Sequence, residues 1–208
     1  MIIHNIEQRT DEWHLIRKGK VTGTGLKRIV GSKTTRQNYM YELIAEKLSI
    51  GVPDDESAMA RGIRLEDEAR KRYEEYIGKK VTVFGFLQSD ENEDVGASPD
   101  GYIDKKKLDH ACEIKCLSGA NHVRAFLENK VPEEYYPQGI QAFIVNKELK
   151  QLDFVFYDPR MPDLDFFVIE IKRKDVEEDI DAYQNAEFDF IKEVNEIVAD
   201  IVTKRSNF

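Results

Sequence analysis

Residues 98–116 read Ser98-Pro99-Asp100-Gly101-Tyr102-Ile103-Asp104-Lys105-Lys106-Lys107-Leu108-Asp109-His110-Ala111-Cys112-Glu113-Ile114-Lys115-Cys116. A lysine-rich polar turn at 105–109 separates two segments of alternating character, which predicts two antiparallel strands joined by a short connection. Asp100 and Glu113 then lie on neighbouring strands, where two carboxylates can meet. Side chains alternate along a strand, so Glu113 and Lys115 share one face while Cys112, Ile114 and Cys116 take the other. Taken singly, Pro-Asp-Gly is a turn and Glu-Ile-Lys a strand with a solvated face. Taken together, they put two acids and a lysine on one site. Converging carboxylates suit a hard divalent ion such as Mg²⁺, which accepts one or two protein carboxylates, keeps several waters and binds substrate phosphate. A neighbouring ammonium can orient or deprotonate a metal-bound water and stabilise charge on a phosphorane-like transition state, and phosphodiester hydrolysis needs these parts.

Working outward, period-two patterning precedes this pair at Val81–Leu87 and covers Val95–Asp104, giving a three-strand antiparallel meander that ends at His110–Cys116. Toward the amino terminus, Thr10 can cap a short helix running to Arg17, Thr22-Gly23-Thr24-Gly25 can open another toward Ile29, and Tyr39–Leu48 has helical spacing. A long helix is expected from about Ser57 to Ile77, closed by Gly78. Beyond the meander come helices at Gly119–Glu128 and Glu133–Val145, strands at Leu152–Tyr157 and Phe166–Ile171, and a last amphipathic helix through Val176, Ile180, Tyr183, Ile191, Val194, Val198 and Ile201. This order predicts an α/β (α+β) fold, a mixed central sheet of about five strands flanked by helices, with residues 1–208 as one domain.

Glu66 falls inside the apolar stripe of the long helix, between Met59, Ile63, Tyr73 and Ile77. An inward carboxylate needs a partner, because burying it alone costs several kcal/mol. Two partners are available to it: Arg70 on the same side of the helix, or a metal shared with Asp100 and Glu113, with Arg61-Gly62 allowing close helix–sheet approach.

With 34% charged and 41% hydrophobic residues, the 208-residue chain can build a sizeable core and is not a membrane protein. No signal-peptide pattern follows Met1, so a cytoplasmic location is expected. Cys112 and Cys116, separated by roughly 13 Å along one strand, cannot pair and read as small half-buried hydrophobes. His4, His14, His110 and His122 have no ligand spacing. The net charge of −9 weighs against a nucleic-acid partner, but its distribution does not: residues 1–50 hold nine Lys/Arg against five Asp/Glu, and residues 151–208 hold seven against fifteen. A basic face with an acidic rear is compatible with DNA binding.

Arg61-Gly62-x-x-x-Glu66-x-x-Ala69, Ser98-Pro99-Asp100-Gly101, Glu113-Ile114-Lys115-Cys116 and Tyr136-Pro137-Gln138 together resemble the PD-(D/E)xK nucleases of the YqaJ/phage lambda exonuclease type. Asp11-Glu12-Trp13-His14 through Arg17, with Val21-Thr22-Gly23-Thr24, is similar to the family's amino-terminal block, and Tyr157-Asp158-Pro159-Arg160-Met161 with Val168-Ile169-Glu170 to its carboxy-terminal block. The resemblance spans roughly Glu12 to Glu170. It departs at Leu117, where Pro is common, and at Gln138-Gly139-Ile140-Gln141, where Gln-x-Gln is common.

The resemblance implies a restriction-endonuclease-like core and one or two Mg²⁺ or Mn²⁺ ions per site. Asp100, Glu113 and the backbone carbonyl of Ile114 would be ligands, Glu66 would hold a second metal or its water, Lys115 would act on the attacking water and Gln138 would help position it. Arg17 and Thr24 match positions that bind a 5′-phosphate, with Thr24 keeping the hydroxyl of the family's Ser; Arg17 read alone could also be a surface residue closing a helix end. The implied activity is a 5′→3′ double-strand DNA exonuclease that releases mononucleotides and leaves a 3′ single strand in phage-type homologous recombination. Its implied partners are duplex DNA ends, two further copies in a homotrimer and a single-strand annealing protein, in a bacterial host cell. The alternatives are a structure-specific or nicking endonuclease on the same fold, or a non-catalytic DNA-end-binding module.

Overall fold

Thr10 ends an extended segment, and its Oγ1 accepts the Trp13 backbone N–H at 3.3 Å, which starts helix α1 (Asp11–Arg17) as expected. The computed structural model describes residues 1–48, 60–117 and 119–205, and the side chains of all of these except residues 45, 48, 60–64, 119 and 120. The expected helix start near Ser57, the side chains of Met59 and Ile63, and the Arg61-Gly62 approach lie outside what is described.

Strand β1 (Ile2–His4) precedes α1, and α2 (Gly23–Ile29), α3 (Lys33–Leu48) and α4 (Ala60–Ile77) follow it. Gly78, at φ 65°, closes α4 in a conformation that favours glycine. Next come β2 (Phe86–Gln88), β3 (Gly96–Ala97), β4 (Gly101–Tyr102) and β5 (His110–Lys115). Helices α5 (Gly119–Glu128) and α6 (Tyr136–Val145) lead to β6 (Gln151–Tyr157), β7 (Phe166–Lys172) and α7 (Glu177–Arg205).

The strands form two sheets. One is antiparallel in the order β1-β2-β3, and the other is mixed in the order β4-β5-β6-β7, with β5 and β6 parallel and the outer pairs antiparallel. The mixed sheet therefore has four strands where about five were expected. The physical reason is the Ser98-Pro99-Asp100 segment: Pro99 has no N–H to give a ladder, so the second meander strand divides into β3, paired with β2, and β4, paired with β5. Of the expected strand at Val81–Leu87, residues 81–84 supply only the Thr82–Tyr102 bridge.

Strand β6 is buried nearly throughout because the sheet is covered on both faces. Leu152, Phe154 and Phe156 face the main core with Leu26, Leu43, Ile140, Phe143 and Phe190 from the helices. On the other face, Ala69 and Tyr73 of α4 pack over Cys112, Ile114, Val155 and Tyr157. Burying each large side chain contributes about 1.5–3 kcal/mol. This two-sided packing holds β5 rigidly, with Cys112 and Ile114 under α4 and Glu113 and Lys115 on the alternate positions.

Candidate active site

In the β4–β5 ladder Gly101 stands opposite Cys112 and Tyr102 opposite Ala111, and Asp100 directly precedes the paired residues on the side toward Glu113. Asp100 Oδ2 accepts the Ile114 backbone N–H at 2.7 Å, so the acid is fixed at the point where β4 begins. Burial pushes its pKa up to about 8, and the nearby charges of Glu113 and Glu66 add to the rise. Lys115 Nζ donates to Glu113 Oε1 at 2.8 Å, both side chains being 15% exposed. Burial works against the Lys115 ammonium, but Glu113 and Asp100 outweigh it and hold its pKa above the ordinary lysine value. The ammonium also sits 5.1 Å from the ring centroid of Tyr135.

Glu66 is brought beside Asp100, yet its carboxylate is held by arginines. Oε1 accepts from Arg70 at 2.8 Å and Oε2 from Arg9. Of the two partners open to Glu66 in the sequence, the arginine pairing is the one seen. Among the described residues no group of three or more His, Cys, Asp or Glu is arranged to hold a metal ion. The donor chemistry nonetheless fits a hard cation: two acids lie close together, and the charge of Glu113 adds to the cost of ionising the buried Asp100. Asp100 and Glu113 are the residues that could hold it, with Glu66, bound by two arginines, as a further carboxylate beside them.

Arg17 lies at the end of α1 with its guanidinium 4.0 Å over the Trp13 ring, one helical turn back, and Trp13 is anchored by its indole N–H to the Gly85 carbonyl at 2.8 Å. Arg17 Nη1 donates to Ser98 Oγ at 2.7 Å and Nη2 to Thr22 Oγ1 at 3.4 Å. Burial lowers its pKa to about 10, which leaves it a cation at neutral pH. Helix α2 crosses α6 so closely that a Cβ on Gly23 would lie 3.0 Å from the Gln138 Cα. The result is a cleft of about 80 Å³ lined by Arg17, Thr24, Ser98, Glu113 and Gln138 among others. An adjoining groove of about 360 Å³ shares Arg17 and Thr24 and adds Lys20 and Arg28. A larger cavity of about 410 Å³ beside α5 shares no residue with either.

Arg17, Thr24, Glu113 and Gln138 thus line one cleft, and Lys115 is joined to it through its bond to Glu113, with Asp100 close enough for the Glu113 and Lys115 charges to act on it. Gln141 is elsewhere: it is buried, donates to the Gly96 carbonyl at 3.2 Å and to Glu187 Oε1 at 2.8 Å, and is structural. His122 is buried against the Leu164 carbonyl and His110 approaches Asp153, while Arg160 forks onto Asp158 at 2.6 and 2.8 Å. Sequence reasoning missed Tyr135 and Arg9 as neighbours of the site, and it quoted Ser98 in the motif without pairing it to Arg17. The Trp13–Arg17 spacing of four on a helix was a readable signal; Tyr135 and Arg9 sit outside regular elements and gave none.

Residues 12–146 match the model of the YqaJ-like viral recombinase domain. Among solved structures, the alkaline exonuclease LHK-Exo from Laribacter hongkongensis is 31% identical, with 95% of this chain and 99% of that chain covered and a TM-score of 0.86. LHK-Exo in complex with dAMP gives the same identity and coverage with a TM-score of 0.85. A phage related exonuclease from Haemophilus somnus 129PT, 16% identical over 85% of this chain and 95% of that one, shares the fold with a TM-score of 0.53. No curated protein matches the chain.

Proposed function

The chain belongs to the YqaJ-like viral recombinase domain family, and from that premise we propose that it is a metal-dependent exonuclease that digests duplex DNA 5′→3′ from phosphorylated ends in phage-type recombination. The observation that carries this reading is the shared cleft: Glu113 of the carboxylate–lysine cluster lines the same small cavity as Arg17, Thr24 and Gln138. A group that cuts phosphodiesters is thereby coupled to a group that binds a phosphate.

A bound Mg²⁺ or Mn²⁺, one or two per site, would acidify water and polarise the scissile phosphoryl group. Asp100 and Glu113 would hold it, with the Ile114 carbonyl and Glu66 as further donors. Lys115 orients the attacking water and stabilises charge growing on the phosphoryl oxygens. Gln138 lines the cleft beside Glu113 and positions that water. As the water oxygen bonds to phosphorus, the P–O3′ bond breaks and the 3′ oxygen leaves with a proton. The mononucleotide departs with a 3′-hydroxyl and the shortened strand keeps a new 5′-phosphate. Arg17 and Thr24 can then bind that phosphate, so each cut prepares the next and the complementary strand is left as a 3′ overhang.

The same reading treats residues 1–208 as one nuclease domain that assembles as a homotrimer around DNA and works with a single-strand annealing protein in the cytoplasm of a bacterial host. The charge split between residues 1–50 and 151–208 supports encirclement, with cations toward the duplex and acids away from it. Among the described residues no helix is long and apolar enough to cross a membrane. Linear duplexes labelled at either end, with and without 5′-phosphate and with Mg²⁺ or EDTA, test the activity. Mononucleotides released from the 5′-phosphorylated end only with the metal support it. Internal fragments would favour an endonuclease, and binding without cleavage an end-binding module.

A further inference from the structure

Arg9 is one of three non-glycine residues with positive φ among those described, at 67°. A left-handed conformation is unfavourable for a residue with a side chain, and such outliers persist where the surroundings impose them. Here the imposing contacts lie on both sides. Gln8 Nε2 donates to the carbonyls of Phe84 at 3.2 Å and Pro99 at 3.5 Å, tying the loop to the segment that carries Asp100. Thr10 Oγ1 donates to the Glu7 carbonyl at 2.8 Å and accepts the Trp13 N–H, fixing the start of α1. Between these anchors the Arg9 side chain is directed onto Glu66 Oε2.

Glu66 does not require a second arginine. Arg70, four residues on along the same helix, already binds Oε1 and reaches Asp67 Oδ1 at 2.9 Å as well. Arg70 is 19% exposed and Glu66 13%, whereas Arg9 remains 35% exposed. The more accessible guanidinium therefore comes from a loop 57 residues away, at the rim of the carboxylate cluster. Arg17 touches Ser98 from the carboxyl end of α1, and Arg9 touches Glu66 from just before its amino end, so each end of α1 brings a guanidinium to the site. A planar guanidinium matches phosphate as well as carboxylate, so Arg9 can pass from one anion to the other while Arg70 stays on Glu66.

We propose that Arg9 is a second phosphate-binding residue, which leaves Glu66 to hold an internal backbone phosphate of the strand being cut, while Arg17 holds the terminal one. The inference rests on the DNA-cleaving reading of the site. Release of Oε2 by Arg9 also leaves that oxygen of Glu66 open to a metal.

The test is duplex binding by the full chain in EDTA, read by fluorescence anisotropy across a salt titration. Arg9→Gly removes the side chain at a backbone conformation glycine adopts freely, so the fold is retained. Its expected result is affinity about tenfold weaker at low salt, equally on 5′-phosphorylated and 5′-hydroxyl duplexes, with a salt slope shallower by about one. Arg9→Lys should restore most of the slope. The same loss should appear when Arg9→Gly is added to Glu66→Gln. An unchanged slope, or a loss that vanishes in the Glu66→Gln background, overturns the proposal and leaves Arg9 as a holder of Glu66. Failure of the unaltered protein to bind any duplex, in EDTA and with Ca²⁺ in its place, would overturn the DNA-cleaving reading itself, and this inference with it.

Discussion

The Asp100 carboxylate accepts the Ile114 backbone N–H at 2.7 Å. This bond places the side chain that precedes β4 on the backbone of β5 between Glu113 and Lys115. It fixes the acid across the break between the sheets, so the three groups keep their spacing through the backbone of β5. Conserving that bond while removing the charge separates metal affinity from architecture. Asp100→Asn keeps an oxygen for the Ile114 N–H, and Glu113→Gln keeps one for Lys115. Both variants are expected to fold, to lose cleavage and to bind Mn²⁺ more weakly in calorimetric titration without DNA. Undiminished Mn²⁺ binding would reject the ligand assignment.

Lys115→Ala should lower kcat by about 10²–10³-fold with duplex affinity nearly unchanged, because the ammonium acts on charge that develops in the transition state. Single-turnover cleavage beside equilibrium DNA binding checks this. A variant with near-normal turnover contradicts the role given to Lys115.

Tyr135 presents its ring 5.1 Å from Lys115 Nζ, a contact worth about 0.5–2 kcal/mol in this half-buried setting. Tyr135→Leu is expected to reduce kcat by up to about tenfold, while Tyr135→Phe, which keeps the ring face, should stay close to the original rate. Equal losses in both variants would assign the effect to the hydroxyl instead.

How much of this arrangement was legible follows from which contacts are local. The closeness of Asp100 and Glu113 could be read because one short turn joins β4 to β5 and the period of two fixes which residues share a face. The Thr10 cap and the inward Glu66 were readable for the same reason: each depends on spacing within one helix. The division of the meander into two sheets was not, since the alternation runs on across Pro99 from Val95 to Asp104 and does not show that the ladder breaks there. Arg9 on Glu66 and Tyr135 under Lys115 join residues 57 and 20 positions apart through loops, where no periodicity exists to follow.

Glu187 gives the fold a pH dependence of its own. It is fully buried on α7, accepts from Gln141 at 2.8 Å through Oε1, and has no partner for Oε2 among the described residues; burial pushes its pKa up to about 8. The folded chain thus binds this proton more tightly than the unfolded chain, whose carboxyl titrates near 4.5. Its contribution to stability is fully present below about pH 4.5 and is lost as pH rises through about 8, a change on the order of a few kcal/mol. Glu187→Gln should raise the melting temperature at pH 9, change little at pH 5, and flatten the profile between. Thermal melts across this range check it, and a steeper loss of stability in the variant would contradict the burial argument.

In the proposed function the Arg17 cleft and the Asp100–Glu113–Lys115 cluster act as one site on a 5′-phosphorylated end. The most direct measurement of this claim is the rate of mononucleotide release from 5′-phosphate and 5′-hydroxyl duplexes by the unaltered chain and by Arg17→Ala, combined as a cycle between protein group and substrate group. The expected result is a strong preference for the 5′-phosphate that Arg17→Ala largely erases, by slowing the phosphorylated substrate far more than the hydroxyl one. A preference that survives intact in Arg17→Ala, with both substrates slowed equally, would contradict the claim.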